Sequence, residues 1–445
     1  MSLKHVGYQV PRPTHSWAQS GEWEKGQLCP SCESGRLYKF EPATFIRIVG
    51  QAPLAAQKHI LEQLRCNRCG ALFTAPLPEA VSQDGARGQK YAYSARTVMA
   101  LHKFSAGSPY YRQEGLQSLL GVPVTASTIY DQCALLADDL RPIWLIMIVI
   151  AANAVHFHLD DTGHKILDQK TPIEKAKRNG KGTRLRSGVY TSGVIATLDS
   201  GEDLVLFKTN IGHAGEWIDE ILTHRDPQLS LPLIMCDALS SNRPTVTAHQ
   251  LSLCNAHSRR GFTDVATNFP QQVQYVVKQY AQIWLNDTEA KRQQLNAQQR
   301  LSYHQTHSLP VMESIKTWAE QQRESPQWQE HSGLARAVAY LLKHYTELTA
   351  FCRIAGAKLD NNYMEMVLRL IVLNRKNAYF YRTQAGAEVG DIFTSLIATC
   401  ELNGVNPFDY FNAVQRNRLA VSRHPQQWLP GNYRGTLAKV STVAA

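Results

Sequence analysis

Two rhythms of apolar residues alternate along this chain. From Tyr93 to Leu140 the apolar positions recur at helical spacing. Tyr111-Arg112-Gln113-Glu114 opens a short helix that ends at Gly121, the turn GVPVT follows, and a second helix starts at Ala126 with Thr125 or Ser127 as its cap. The spacing is that of a helix-turn-helix, with Ser127, Thr128, Tyr130 and Gln132 facing outward; plain antiparallel packing of two helices fits as well. The run Ile143 to Ala152 (IWLIMIVIAA) is too short to span a bilayer and reads as a buried segment. The pattern then turns to alternation. Val155 to Asp161 predicts a strand ending in acids, and Gly188 to Leu198 and Asp203 to Lys208 predict two more. After a helix over Glu216 to Thr223, Pro232 to Asp237 is a fourth strand that again ends in an acid. Helical spacing returns in Gln271 to Leu285, with Val273, Val276, Val277, Tyr280 and Trp284, and in Leu334 to Leu342. It closes with Leu359 to Phe380, where Met364, Val367, Leu368, Ile371 and Val372 form one stripe beside a single glutamate, Glu365. The expected fold is an α/β core interrupted by a mostly helical insert before its final helix.

Composition narrows the partners. Across 445 residues, 47 Lys+Arg against 37 Asp+Glu leave a formal charge of +10, which favours a polyanion, most simply nucleic acid. The opening MSLKHVGYQVPRPTHSW lacks the apolar core of a secretory signal, so a soluble, cytoplasmic protein with no membrane partner is expected. Nine cysteines, an odd number with four in tight pairs, fit a reducing compartment better than a disulfide framework.

Those pairs are the sharpest local motif. Cys29-Pro-Ser-Cys32 and Cys66-Asn-Arg-Cys69 each supply two sulfurs from one bend, and four thiolates make a tetrahedral shell for a structural zinc ion. The segment between them reads as a zinc ribbon, and Pro76 to Gln89 as a linker behind it.

The strand-end acids carry the second chemical signal. Carboxylates projecting from neighbouring strand tips share hard cations, and a third carboxylate from a later helix completes a two-metal site of the kind that activates a hydroxyl and stabilises a leaving phosphodiester oxygen. Asp160, Asp237 and Glu365 are the candidates, and Arg369, Arg375 and Lys376 follow the glutamate where a phosphate would be met. Alternation leaves open whether Asp160 or its neighbour Asp161 is the first ligand. His156, His158 and His164 flank Asp160 and read as core or rim residues, and Cys254-Asn255-Ala256-His257 provides two ligands where zinc needs more. Between the first two strands, Lys165 to Arg186 holds eight cations against Asp168 and Glu174; a solvated loop is the plain reading and a phosphate-contacting loop the functional one.

In order along the chain, HLDDTGHKIL, LIMCDALSSN, LCNAHSRRGFTDV, DNNYMEMVLRLIVLNRKNAYFYRTQAGAE and SLIATCELNGVNPFDYF resemble the insertion-sequence 66 family of bacterial transposases. The likeness runs from the cysteine pairs to about Phe411, and its most specific parts are the DNN-to-RKN and LNGVNPFDY segments. It implies an RNase H-like mixed-sheet core with an Asp-Asp-Glu site that needs magnesium or manganese, the acids matching Asp160, Asp237 and Glu365. Two positions depart from the family pattern: Asp160-Asp161-Thr162 replaces Asp-Glu-Thr, and methionines flank Glu365. Family members commonly carry a leucine-rich helical region before the ribbon, whereas 28 residues precede Cys29, the expectation for a shorter or truncated copy.

The expected organisation is therefore an N-terminal tail (1–24), a zinc ribbon (25–76), a helical region of helix-turn-helix type (77–150), the first part of the catalytic core (151–256), a helical insertion (257–350), the core's glutamate and closing helices (351–412) and a C-terminal tail (413–445). The expected activity is metal-dependent cleavage at insertion-sequence ends and strand transfer into target DNA. Cys29, Cys32, Cys66 and Cys69 would hold zinc, and Asp160, Asp237 and Glu365 magnesium or manganese. Lys175, Lys177, Arg178, Lys181, Arg184, Arg375 and Lys376 would contact double-stranded DNA. A homodimer or higher synaptic assembly is expected, with accessory proteins as further partners, on the bacterial nucleoid. A DNA-binding regulator derived from a transposase and a structure-specific nuclease on the same core are the competing readings.

Overall fold

The computed structural model describes residues 25–38, 52–84, 90–169, 173–176 and 182–443. The tail 1–24, the middle of the expected ribbon (39–51) and Lys177, Arg178 and Lys181 lie outside these residues. The chain divides into two units, Met1–Ala55 and Ala56–Ala445. In the first, a tight turn is closed by a bridge between Leu28 and Arg36. The second holds everything else, beginning with a small antiparallel hairpin of Gln63–Arg65 and Leu72–Thr74.

Three helices lead into the sheet: α1 (Tyr93–Phe104), α2 (Tyr110–Leu119) and α3 (Ala126–Ala151). Thr125 caps α3, its hydroxyl accepting the Thr128 N–H at 3.3 Å. The predicted second helix and the apolar run are one helix with Pro142 inside it. Its faces differ from expectation. Gln132 points inward and accepts a hydrogen bond from Arg96 Nε at 2.9 Å, while Leu145 and Val149 stay exposed. The run packs on one side only, against Trp217 and Ser395 through Trp144.

Five strands form the central sheet: β1 (His156–His164), β2 (Val189–Thr197), β3 (Asp203–Asn210), β4 (Leu233–Cys236) and β5 (Gln250–Leu253). Their spatial order is 3-2-1-4-5. β2 runs antiparallel to β1 and β3, and β4 and β5 run parallel to β1, so β2 alone opposes the others. Between β1 and β2 the expected charged loop is a two-stranded ribbon, Ile173–Ala176 paired with Thr183–Arg186, whose register sets Lys175 opposite Arg184.

Helix α4 (Ala214–Leu222) follows β3 and buries Trp217, Ile218 and Ile221. The predicted insert is helical: α5 (Asn255–Thr263), α6 (Pro270–Arg292), α7 (Ala297–His307), α8 (Leu309–Glu324) and α9 (Gly333–Lys343). The chain then returns to the sheet as α10 (Asn362–Ala378), which buries Met364, Val367, Leu368 and Ile371 against Ile195, Val205 and Phe207 of β2 and β3. This is the stripe that helical periodicity predicted.

Helix α11 (Gln384–Leu402) closes the outer edge of β3. Asn403, Thr399, Ser395 and Asp391 accept the N–H groups of Asp203, Val205, Phe207 and Thr209 at 3.3, 2.9, 2.9 and 2.7 Å. Four helical residues rise about 6 Å and two strand residues about 6.8 Å, so a four-residue polar repeat keeps pace with alternate edge amides. The edge is thus denied to other strands. Beyond α12 (Pro407–Arg416), the segment expected to be a tail is folded: Val421, Trp428 and Tyr433 are buried, and Tyr410 donates its hydroxyl hydrogen to Trp428 O at 2.7 Å.

Candidate active site

The parallel strands β1 and β4 pair as His156 with Leu233, Phe157 with Ile234 and His158 with Met235. Continuing that register by two residues sets Asp160 level with Asp237, on the same side by the two-residue repeat of a strand. Asp160 Oδ1 accepts the Asp161 N–H at 2.8 Å. Its pKa is pushed up to about 7, chiefly by burial and further by the charges of Asp237, Asp161 and Glu365, against the pull of the Asp161 amide. The three predicted acids therefore share one electrostatic neighbourhood.

Each is held differently. Asp237 follows β4 directly, and its Oδ1 accepts the Leu239 N–H at 3.0 Å and Asn242 Nδ2 at 3.2 Å. Glu365 sits in the first turn of α10, where the helix dipole favours an anion. Its Oε1 lies 3.6 Å from the Arg260 guanidinium and 3.8 Å from His257 Nε2, both on α5. Asp161 faces the other way: its Oδ2 lies 2.7 Å from His213 Nδ1, and His213 rests on the Tyr190 ring with centroids 4.0 Å apart. No group of three or more His, Cys, Asp or Glu side chains among the described residues converges closely enough to hold a metal ion.

Of the cations after Glu365, Arg375 reaches back to β1, donating to Thr162 Oγ1 at 2.7 Å and to the Gly163 carbonyl. Arg369 and Lys376 are exposed. In the ribbon, Arg186 is paired with Glu216. His156 and His158 are buried, and burial holds their pKa down, that of His158 to about 4, so both are neutral core residues. His164 stacks on Tyr381 with centroids 4.7 Å apart.

The two cysteine pairs belong to separate units, each built as a tight turn. At the first, the Cys29 N–H donates to Gly35 O at 2.8 Å and the Glu33 N–H to Cys29 O at 2.8 Å. Backbone amides of Ser34 and Gly35 aimed at Cys32 Sγ draw its pKa down to about 6. At the second, the Gly70 N–H donates to Cys66 O at 3.0 Å from a positive φ of 75° that suits glycine, and backbone amides of Cys69 and Arg68 lower the Cys66 pKa. Both turns favour thiolates.

Sequence reasoning missed His213 and Arg260. His213 carries no periodic signal, and Arg260 lies in the motif LCNAHSRRGF, where the eye goes to the cysteine and the histidine.

The sequence profile of the transposase IS66 family matches residues 90–389. The chain belongs to this family. The IS66 match takes in Asp160, Asp237 and Glu365 and leaves both cysteine pairs outside. Among curated proteins, the chain is similar to the uncharacterized protein y4jD of Sinorhizobium fredii, 25% identical over 432 residues, covering 92% of this chain and 79% of the relative. It is also similar to the uncharacterized protein y4hP of the same organism, 23% identical over 450 residues and covering 95% and 76%. No helix among the described residues is long and apolar enough to cross a membrane.

Proposed function

We propose that this IS66-family chain is an Asp-Asp-Glu DNA transposase that cuts strands at the ends of its insertion sequence and joins them to target DNA. The observation that supports the reading is the pairing of β1 with β4, whose register, continued by two residues, brings Asp160 level with Asp237 just past the end of β4, with Glu365 near enough to raise the Asp160 pKa. The sheet order 3-2-1-4-5 with only the second strand reversed supports an RNase H-like core. Asp160, rather than Asp161, is the first acid in this reading, since Asp161 is already bonded to His213.

Oxygen donors of this type suit magnesium or manganese, and a partly buried carboxylate crowded by like charges fits a site that a cation neutralises. Asp160, Asp237 and Glu365 would hold two such ions, which supply an activated water or 3′-hydroxyl and a counter-charge for the leaving oxygen of a phosphodiester. The chain's own residues prepare the site: β1 and β4 fix two carboxylates on a rigid sheet, and the α10 stripe presses the turn carrying Glu365 against β2 and β3. Arg260 and His257, next to Glu365, would meet a phosphate of the cut strand. Lys175, Lys177, Arg178, Lys181 and Arg184, with Arg375 and Lys376, would contact double-stranded DNA and give binding a steep salt dependence. Each cysteine turn, taken by itself, has the thiolate-favouring geometry that a structural zinc ion requires. Bringing two element ends together calls for a homodimer or larger assembly in the bacterial cytoplasm, with accessory proteins as further partners.

The test is nicking of a labelled insertion-sequence end by purified protein with magnesium, followed by a search for joined products. Asp237→Ala abolishes nicking while gel-shift binding of the end persists; a variant that still nicks overturns the assignment. Cutting without joining would point to a nuclease on the same core.

A further inference from the structure

We propose that Asn361 is a positioning residue that locks Glu365 to the two strands carrying Asp160 and Asp237; the inference rests on the reading of those acids as the active site. Asn361 is the N-cap of α10, where an asparagine ordinarily turns its side chain onto the helix's own free amides. Here it makes no such bond. Its side chain is spent on β1 instead: Nδ2 donates to Leu159 O at 2.8 Å, and Oδ1 lies 2.9 Å from His158 Nδ1. With Nδ2 given to a carbonyl, Oδ1 is the acceptor and His158 Nδ1 the donor.

The backbone of Asn361 extends the lock in two directions. Its N–H donates to Cys254 Sγ at 3.2 Å, and the Cys254 N–H donates to Cys236 O at 3.1 Å. Its carbonyl accepts the N–H groups of Met364 and Glu365 at 3.0 and 3.2 Å. Each link ends beside an acid or on one. Leu159 precedes Asp160, Cys236 precedes Asp237, and the third bond falls on Glu365 itself. Asn361 and Cys254 are fully buried, so water offers their partners no replacement.

This gives the Cys254-x-x-His257 element a role without a metal. Cys254 receives the first amide of the lock, and His257, one helical turn later on α5, approaches the Glu365 carboxylate itself at 3.8 Å. An acid on a helix is only as well placed as the end of that helix. A shift of about 1 Å in a reacting group costs about a hundredfold in rate. Asn361 ties the start of α10 to β1, alongside the bond from the Tyr363 hydroxyl to Asp203.

The lock is tested on the full chain with Asn361→Ala and two readouts. The first, free of metal and DNA, is amide exchange of the peptide spanning residues 359–366, expected to quicken about tenfold or more once the bonds to β1 and Cys254 loosen. The second is manganese binding followed by electron paramagnetic resonance. The apparent Kd should rise about 10- to 100-fold, as for residues that orient metal ligands, while nicking at saturating manganese recovers part of the lost rate. A residue that merely stabilises the fold would lower the melting temperature and leave the manganese Kd of the folded protein unchanged. Unchanged exchange together with an unchanged Kd overturns the proposal. If the wild-type protein takes up no manganese, the metal reading of the acids falls and the exchange of 359–366 alone decides the lock. If Asn361→Ala does not fold, Cys254→Ala is compared with Cys254→Ser on the same readouts. Loosening by alanine with rescue by serine, which keeps an acceptor for the Asn361 N–H, supports the lock; identical behaviour of the two overturns it.

Discussion

The outer edge of the sheet and its tip each carry a carboxylate whose pKa is pushed up to about 7: buried Asp391 on α11 and partly buried Asp160 on β1. Burial is the main cause at both, yet their surroundings are opposite. Both oxygens of Asp391 are taken by donors, the Thr209 N–H at 2.7 Å and the Thr209 hydroxyl at 2.6 Å, and they complete the row of side chains that seals β3. Asp160 receives one amide and otherwise feels Asp237, Asp161 and Glu365. A perturbed pKa thus marks burial first; what the neighbours carry, donors or more charge, separates a structural carboxylate from a candidate metal ligand.

Exchanging the two roles by mutation is the strongest test of that contrast. Asp160→Asn should lose nicking by about three orders of magnitude or more, with DNA binding kept, because the catalytic set acts as a unit. Its melting temperature should hold or rise, since one charge leaves a crowd of like charges. Asp391→Ala should do the reverse, leaving the Thr209 amide and hydroxyl without their acceptor at a cost of about 2–4 kcal/mol. The molecules that stay folded should nick at the wild-type rate. Chemical denaturation and a single-turnover nicking assay on both variants check the pair. If Asp391→Ala lost nicking in proportion to Asp160→Asn, the edge and the tip would not be separate in function.

Much of the tip was legible in the sequence and little of the edge. Alternation that leads to an aspartate, twice, and a helical stripe that keeps one glutamate beside it are patterns of single elements; β4 does end just before Asp237, whereas β1 runs past the expected end at Asp161 to His164 because β2 pairs with it throughout. The choice between Asp160 and Asp161 was not legible, because what separates them, the His213 contact of Asp161 and the register with β4, comes from residues far away in sequence. The sealing of β3 was invisible for a related reason. Asp391, Ser395, Thr399 and Asn403, four residues apart, look like the solvent face of a helix until a strand edge is laid beside them. Gln132 misled in the same way, since a polar residue can be buried once its amide is bonded, here to Arg96. The paired strands 173–176 and 183–186 were expected as a loop because they carry more charge than alternation.

The packing between edge and tip can be probed at one glycine. Gly193 pairs with Asp160 across β1 and β2, and a Cβ there would stand 2.3 Å from Met364 Cε and 2.8 Å from the Phe207 ring. Met364 precedes Glu365, so the space that glycine leaves is filled by the helix that delivers the third acid. Gly193→Ala forces the methionine tip aside and presses on the less yielding ring, a strain of about 1–3 kcal/mol. Nicking should fall by about tenfold through the displaced turn of α10, an effect between those of Asp160→Asn and Asp391→Ala in character. A stability loss with wild-type nicking of the folded fraction would show that α10 can shift at Met364 without moving its acid.

The smallest expected effect concerns pH, and it isolates the edge. The Asp391 pKa lies at about 7 in the folded chain against a model-compound value of 3.8: burial raises it most, the two Thr209 bonds oppose this, Glu388 adds to the rise and Lys208 subtracts. Tyr381 also faces Asp391, and its hydroxyl stays protonated throughout this range, since burial and the Asp391 charge push it far up. A carboxyl whose folded pKa is raised binds its proton more tightly in the folded state. Its contribution to stability is therefore fully present below the unfolded value and lost as pH rises through about 7. Asp160 shifts in the same direction, and the buried histidines shift in the other, so the wild-type curve alone cannot be attributed to one group. Asp391→Asn keeps an acceptor for the Thr209 amide and cannot ionise. Wild-type minus variant stability, measured by denaturant unfolding from pH 5.5 to 8.5, should fall with rising pH and level off above about 8. A flat difference would mean that the Thr209 bonds already hold Asp391 ionised, and the edge carboxylate would then be an ordinary paired charge, even less like the one at the tip.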